Sequence, residues 1–235
     1  MQKSENLDRY RMNLIQVEST DSTNLEAERI LLSDKANTPF VVLTDEQLNG
    51  RGQGNHKWLS EKGLNITCSF VVSPLIDSVH QFHLTAMASV SILETVSSFL
   101  HDSSTVKIKW TNDVYVGSNK IAGILINNRI LNNKITSSII GIGLNVNQTI
   151  FPEDVPNPTS LQLETNQEMN VKSVFSTLCD RFEANYAIML TNPKKLAEEY
   201  RANLFMLNRP YKYTVNGKEE IRAIRDVNDF GEMIW

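Results

Sequence analysis

The sequence predicts an α+β domain, because strand-like stretches and amphipathic helical stretches come in blocks along the chain. Val106 to Ile126 reads as two neighbouring hairpins. Gln81 to Leu100 carries Phe82, Leu84, Met87, Val90, Leu93, Val96 and Leu100 at helical spacing, and Val171 to Leu190 forms a second amphipathic helix. At 235 residues, 41% hydrophobic and 21% charged, the chain can bury a substantial core, with room for one small appendage.

A net charge of −4 argues against a general nucleic-acid binder, so no DNA binding is expected and any cationic site must be local. The two cysteines, Cys68 and Cys179, have no metal-ligand spacing around them and read as buried, reduced thiols. No apolar run approaches the roughly 18 residues needed to span a bilayer. The start, Met-Gln-Lys-Ser-Glu-Asn, lacks a signal-peptide core, which predicts a cytoplasmic protein without membrane association.

Taken in order, Leu14 to Ser19 predicts a strand, and Thr20-Asp-Ser-Thr-Asn24 gathers small polar side chains at a helix start. Thr23 and Glu26 fit a capping box, so these groups have a purely local use as well as a binding one. Phe40 to Thr44 is a short strand leading into Gly50-Arg-Gly-Gln-Gly-Asn-His-Lys-Trp58. That stretch is too glycine-rich for a core element. Its glycines permit positive φ angles and close approach to an anion, Arg51, His56 and Lys57 supply charge, and Trp58 supplies a flat apolar face. Phosphate plus an aromatic ring suggests a nucleotide. The next segment, Leu64 to Val72, reads as a strand, so this is a loop between strands and not a Rossmann or P-loop turn.

Further on, Val106 to Trp110 alternates, with Lys107 and Lys109 on one face and Val106 and Ile108 on the other. Thr111-Asn-Asp113 breaks the strand, Val114 to Val116 resumes it, and Gly117-Ser-Asn119 turns into the strand Lys120 to Ile126. Lys134 to Ser138 leads into Ile139-Ile-Gly-Ile-Gly-Leu-Asn-Val-Asn147, where two glycines bare a strand to a close neighbour or mark a bulge. Phe151 to Thr159, with three prolines, reads as a surface connection. Pro193 to about Asn203 is a further helix. Tyr211 to Val215, Asn216-Gly217 and Glu220 to Arg225 give a hairpin signal, and the β appendage that begins here is too small for a core of its own.

In their order and spacing, Ser22-Thr-Asn24, Gln47, Gly50-Arg-Gly52 with Trp58, Lys109-Trp-Thr-Asn-Asp113, Lys120-Ile-Ala-Gly-Ile-Leu125 and Gly141-Ile-Gly-Leu-Asn-Val-Asn147 resemble the motif series of biotin protein ligases. The resemblance implies a mixed sheet flanked by helices, similar to class II synthetase cores. It divides the chain into a catalytic domain over 1–207 and a partial SH3-like β domain over 208–235, which looks truncated. It implies activation of biotin by ATP and Mg²⁺ to biotinyl-5′-adenylate, then transfer to a lysine of a biotin carboxyl carrier protein. A monomer and a homodimer both remain open.

Carried over by motif, the biotin side takes in Ser22, Thr23, Asn24, Gln47, Gly50, Arg51, Gly52, Gln53, Lys109 and Gly123. The nucleotide side takes in Trp58, Asn112, Asp113, Lys120, Gly141, Gly143 and Asn145. Lys109 and Arg51 are the catalytic candidates; no metal ligand is assigned. Attack of a carboxylate on an α-phosphate needs anion stabilisation and no enzymic nucleophile, which suits a lysine and an arginine. The sequence departs from the pattern where Gln53 and His56 replace arginines found in many relatives, where Gly54 falls one position early, and where Thr111 replaces a proline. A lipoate ligase would share fold and chemistry but lacks the Gly-Arg-Gly loop and the Lys-Trp-x-Asn-Asp run. A biotin-binding sensor without transfer activity is the alternative of another class.

Overall fold

The computed structural model describes residues 12–33, 37–54, 56–215 and 217–235. The chain start read above as lacking a leader, Asn55 of the glycine loop and Asn216 of the Asn-Gly turn lie outside the described residues.

One mixed sheet dominates. β1 (Asn13–Thr20) runs parallel to β2 (Phe40–Gln47), with α1 (Thr23–Leu32) as the crossover that parallel neighbours require. All later neighbours are antiparallel: β3 (Ile66–Val72), then β8 (Lys134–Leu144), β7 (Asn119–Leu131), β6 (Asp113–Val116) and β5 (Val106–Lys109), giving the order β1-β2-β3-β8-β7-β6-β5. The short β4 (Ile76–Asp77) adds to β8. The two expected hairpins are present, and β7 continues five residues past the expected Ile126 because it stays paired with β8 as far as Leu131.

The two faces of the sheet have different uses. Cys68, Phe70 and Val72 of β3 share a buried cluster with α2 (Phe82–Ser97) and α4 (Val171–Thr191), where Phe70 stacks on Phe182 at 3.9 Å. Truncating Phe70 would cost about 3–5 kcal/mol by the usual penalty for deleting a core ring. α5 (Pro193–Ala202), opened by a proline at its first turn, completes this layer through the fully buried Tyr200. On the other face, Ala27 and Ile30 of α1 cover Phe40, Val42, Val71 and Ile139. That small cluster spans only part of the sheet, and the remaining area is the floor of a cleft.

The capping box expected at Thr23 is not formed. Ser22 is the N-cap, without a side-chain cap bond, and Thr23 is the first helical residue. The hydroxyl that would cap the helix turns instead toward β2 and β3. A short helix missed in the sequence, α3 (Leu161–Thr165), is capped by Ser160 and ended by Asn166 in the left-handed conformation.

Near the C-terminus, β9 (Tyr211–Val215) pairs with β10 (Lys218–Arg222), and β11 (Asp226–Val227) with β12 (Met233–Ile234). Ile224 and Val227 join the main buried cluster, and the Trp110 indole N–H donates to the Gly231 carbonyl at 2.9 Å. This segment is therefore packed directly against the strands that carry the cleft. Both cysteines are buried free thiols, and burial pushes both up from the ordinary value.

Candidate active site

Two ladder rows build the cleft floor. Asp113 of β6 lies opposite Gly123 of β7, Gly123 opposite Gly143 of β8, and Gly143 opposite Thr67 of β3. One step along, Leu125 is opposite Gly141 and Gly141 opposite Ser69. The register runs unbroken through both glycines of β8, so the close-neighbour reading of the Gly-Ile-Gly run holds and the bulge does not. Each glycine makes room for a different side chain. A Cβ on Gly141 would lie 2.2 Å from the Asn24 Oδ1, and one on Gly143 would lie 2.2 Å from the Trp58 Cε2. A cleft of about 690 Å³ stands over these rows.

The α1 end is a closed polar network. Gln47 Oε1 accepts from the Thr23 backbone N–H at 2.9 Å and from the Thr23 hydroxyl at 3.3 Å. The buried Ser69 hydroxyl is within hydrogen-bonding distance of the Thr23 hydroxyl (2.8 Å) and of the Asn24 Oδ1 (2.6 Å). Asn24 spends its amide protons on the Leu125 carbonyl at 3.1 Å and the Asn127 Oδ1 at 2.9 Å. Thr23, Asn24 and Ser69 are thus fixed before any ligand arrives, which lowers the entropy lost on binding.

The glycine loop forms a small hairpin over the other row. Gly52 N donates to the His56 carbonyl at 2.8 Å, Trp58 N donates to the Gly50 carbonyl at 3.0 Å, and Arg51 bridges Lys57. Positive φ, expected of this loop's glycines, is adopted only by Gly54; Gly50 is needed for close approach, since a Cβ there would meet the Trp58 carbonyl at 2.2 Å. The hairpin sets the Trp58 indole on the bare backbone of Gly143 and Gly123. Beside it, Lys120 pairs with Asp113 at 2.7 Å, its Nζ 5.9 Å from the indole ring. Asn112 anchors the adjoining turn by donating to the Ile124 carbonyl at 2.6 Å.

Two polar atoms here are buried with no hydrogen-bond partner, the Trp58 Nε1 and the Asn145 Oδ1; the amide of Asn145 donates to Thr159 O at 2.9 Å. Buried polar groups are normally satisfied. A covered donor and a covered acceptor thus stand without partners at this end of the cleft.

Most residues expected from the sequence line this one cleft: Ser22, Thr23, Asn24, Gln47, Arg51, Gly52, Gln53, Trp58, Asn112, Asp113, Lys120, Gly123, Gly141, Gly143 and Asn145. Gly50 and Lys109 do not line it. Gly50 shapes the loop from behind, and the Lys109 ammonium lies over Tyr115 at 4.7 Å from the ring centroid, boxed in by Phe205 and Tyr211. Lys57 and Lys120 are the lysines that line the cleft. Thr67, Ser69 and Tyr115 were missed because they lie in strands whose patterns read as packing. The proline-rich stretch is the surface connection expected, and it has a second use: Phe151, Asp154, Val155, Pro156 and Pro158 also form a cleft wall, held to Lys120 because Lys120 N donates to Asn157 O and Thr159 N donates to Lys120 O.

Residues 16–145, more than half of the chain, match the model of the biotin/lipoate A/B protein ligase family. The bifunctional ligase/repressor BirA of Bacillus spizizenii is 29% identical over 183 residues, covering 77% of this chain and 55% of that protein. The biotin--[acetyl-CoA-carboxylase] ligase of Mycobacterium tuberculosis is 26% identical over 221 residues, covering 92% of this chain and 80% of that one. The chain spans about half the length of the two Bacillus relatives it matches, 55% and 50%. The biotin protein ligase from Aquifex aeolicus in complex with biotin and ATP superposes with a TM-score of 0.76 at 23% identity, covering 95% of this chain and 91% of that one, so the fold is shared. The chain belongs to the biotin/lipoate A/B protein ligase family.

Proposed function

We propose that this protein activates biotin with ATP and transfers the biotinyl group to a lysine of a biotin carboxyl carrier protein. The observation that carries this reading is the division of one cleft into a closed polar network of Thr23, Asn24, Gln47 and Ser69 and a second end at Trp58, Gly143 and Asn145, with Lys120 paired to Asp113 beside the indole. The first end suits the ureido ring of biotin. The second suits a purine, whose face stacks on an indole and whose edge bears the donor and acceptor that Asn145 and its neighbours can meet.

In the first step a biotin carboxylate oxygen attacks the α-phosphorus, and the bond to the leaving pyrophosphate breaks with its electron pair. Lys120 and Arg51, both on the cleft wall, bring the two anions together and stabilise the charge that spreads over the phosphoryl oxygens. In the second step the carrier amine attacks the acyl carbon, AMP leaves, and the amine loses a proton. Among the described residues no group of three or more His, Cys, Asp or Glu stands together; Asp113 and Asp154, both in the cleft lining, are the carboxylates that would hold Mg²⁺, which would supply neutralisation of phosphate charge. Residues 1–207 act as the catalytic unit with 208–235 as an SH3-like piece docked on it, and the cytoplasm, where ATP is supplied, is the site of action. No helix among the described residues is long and apolar enough to cross a membrane.

The test is direct. Incubate the chain with Mg-ATP, a carrier domain and either biotin or lipoate, and follow the carrier's mass. A biotinyl mass increment is expected; modification by lipoate alone would contradict the reading.

A further inference from the structure

Lys109 lies over three rings drawn from separate parts of the chain, at 4.7 Å from the centroid of Tyr115 in β6, 5.8 Å from Phe205 beyond α5 and 5.6 Å from Tyr211 in β9. Its Nζ is 3.3 Å from the Tyr115 hydroxyl. An ammonium has donors only, so in this contact the phenol oxygen is the acceptor and its proton must point elsewhere. Among the described residues, that hydroxyl has no hydrogen bond other than the one from Lys109. Tyr115 lines the cleft and sits opposite Lys120 in the β6–β7 ladder. Burial pushes the phenol up from its ordinary value, with Lys109 opposing in part, so the hydroxyl keeps its proton.

We propose that the Tyr115 hydroxyl donates a hydrogen bond to an anionic oxygen of the substrates beside Lys120, and that Lys109 is its positioning residue. Lys109 fixes the phenol oxygen from behind and, by accepting no proton itself, commits the O–H to the cleft. A donor polarised by an adjacent cation is also a stronger one. Phe205 and Tyr211 keep the ammonium in place through the faces of their rings.

The proposal rests on the ligase reading, and biotin-dependent exchange of pyrophosphate into ATP separates the two. Exchange is measured for the unaltered chain, Tyr115→Phe, Lys109→Met, Lys109→Arg and the double variant Lys109→Met/Tyr115→Phe, with thermal unfolding as the check on folding. Tyr115→Phe is expected to lower kcat roughly 10- to 150-fold, the range for a hydrogen bond to a charged group, with the KM for ATP little changed. Lys109→Met should lose a similar factor, and the double variant should lose no more than about twofold beyond Tyr115→Phe, because both changes remove one interaction. Lys109→Arg, which keeps a donor and stacks on rings, should restore most of the rate. An unaltered chain without exchange would overturn the ligase reading and this inference with it. Exchange that survives Tyr115→Phe undiminished, or losses that multiply in the double variant, would overturn this inference alone.

Discussion

The two ends of the cleft are built on opposite plans. At the α1 end every buried polar atom of Thr23, Asn24 and Ser69 is held by another, whereas under the glycine loop the Trp58 Nε1 and the Asn145 Oδ1 are buried without a partner. A satisfied network adds to stability and fixes shape in advance; an unsatisfied pair lowers stability and has affinity to gain when a ligand completes it. One end is a mould and the other a half-made set of contacts. Changes that would be equivalent on a surface should therefore act differently at the two ends.

The largest effect is expected beside the indole. Lys120→Ala removes the cation paired with Asp113 on the cleft wall and should lower the rate of adenylate formation by roughly 10²-fold or more, by analogy with deletion of one preorganised charge-stabilising donor. Single-turnover formation of adenylate measures it. A near-normal rate would mean that Arg51 alone brings the two anions together.

Next is Ser69→Ala, which leaves the Asn24 Oδ1 and the Thr23 hydroxyl short of a partner in a fully buried place. The cost of about 1–3 kcal/mol for such a group corresponds to a fall in Tm of roughly 3–10 °C in a chain of this size, with a weaker grip on biotin. Trp58→Phe makes the opposite test. It deletes an unpartnered N–H and keeps an aromatic face, so Tm should stay within about 2 °C while the KM for ATP rises a fewfold. Equal destabilisation by both variants would remove the distinction between the two ends.

Much of this was legible in the sequence, and the exceptions have physical causes. The resemblance to the biotin protein ligase motif series picked out Lys120, Asp113, Asn145, Trp58 and the paired glycines, and it could do so because each motif lies within one turn or one strand. Ser69 was hidden because Leu-Asn-Ile-Thr-Cys-Ser-Phe alternates as a half-buried strand does, so Thr67 and Ser69 read as solvent-facing positions, whereas β3 is buried on both faces. Lys109 was placed on the correct face of the sheet, but the rings that cover it, Phe205 and Tyr211, arrive from far along the chain. The prolines of the 151–158 stretch read as a solvent connection, and only the bridge between Lys120 and Pro158 turns that loop into a wall. Long-range pairings of this kind leave no local pattern.

The most direct test uses the two glycines that stand two residues apart on β8. Neither Gly141 nor Gly143 has a positive φ, so an added methyl acts only through what it touches: Asn24 at Gly141 and Trp58 at Gly143, each at 2.2 Å. The KM values for biotin and for ATP are measured by pyrophosphate exchange in Gly141→Ala and Gly143→Ala. Gly141→Ala is expected to raise the KM for biotin by about tenfold or more and to leave that for ATP nearly unchanged, and Gly143→Ala to do the reverse; tenfold corresponds to about 1.4 kcal/mol. Both variants weakening the same substrate, or the two effects exchanged, would contradict this expectation.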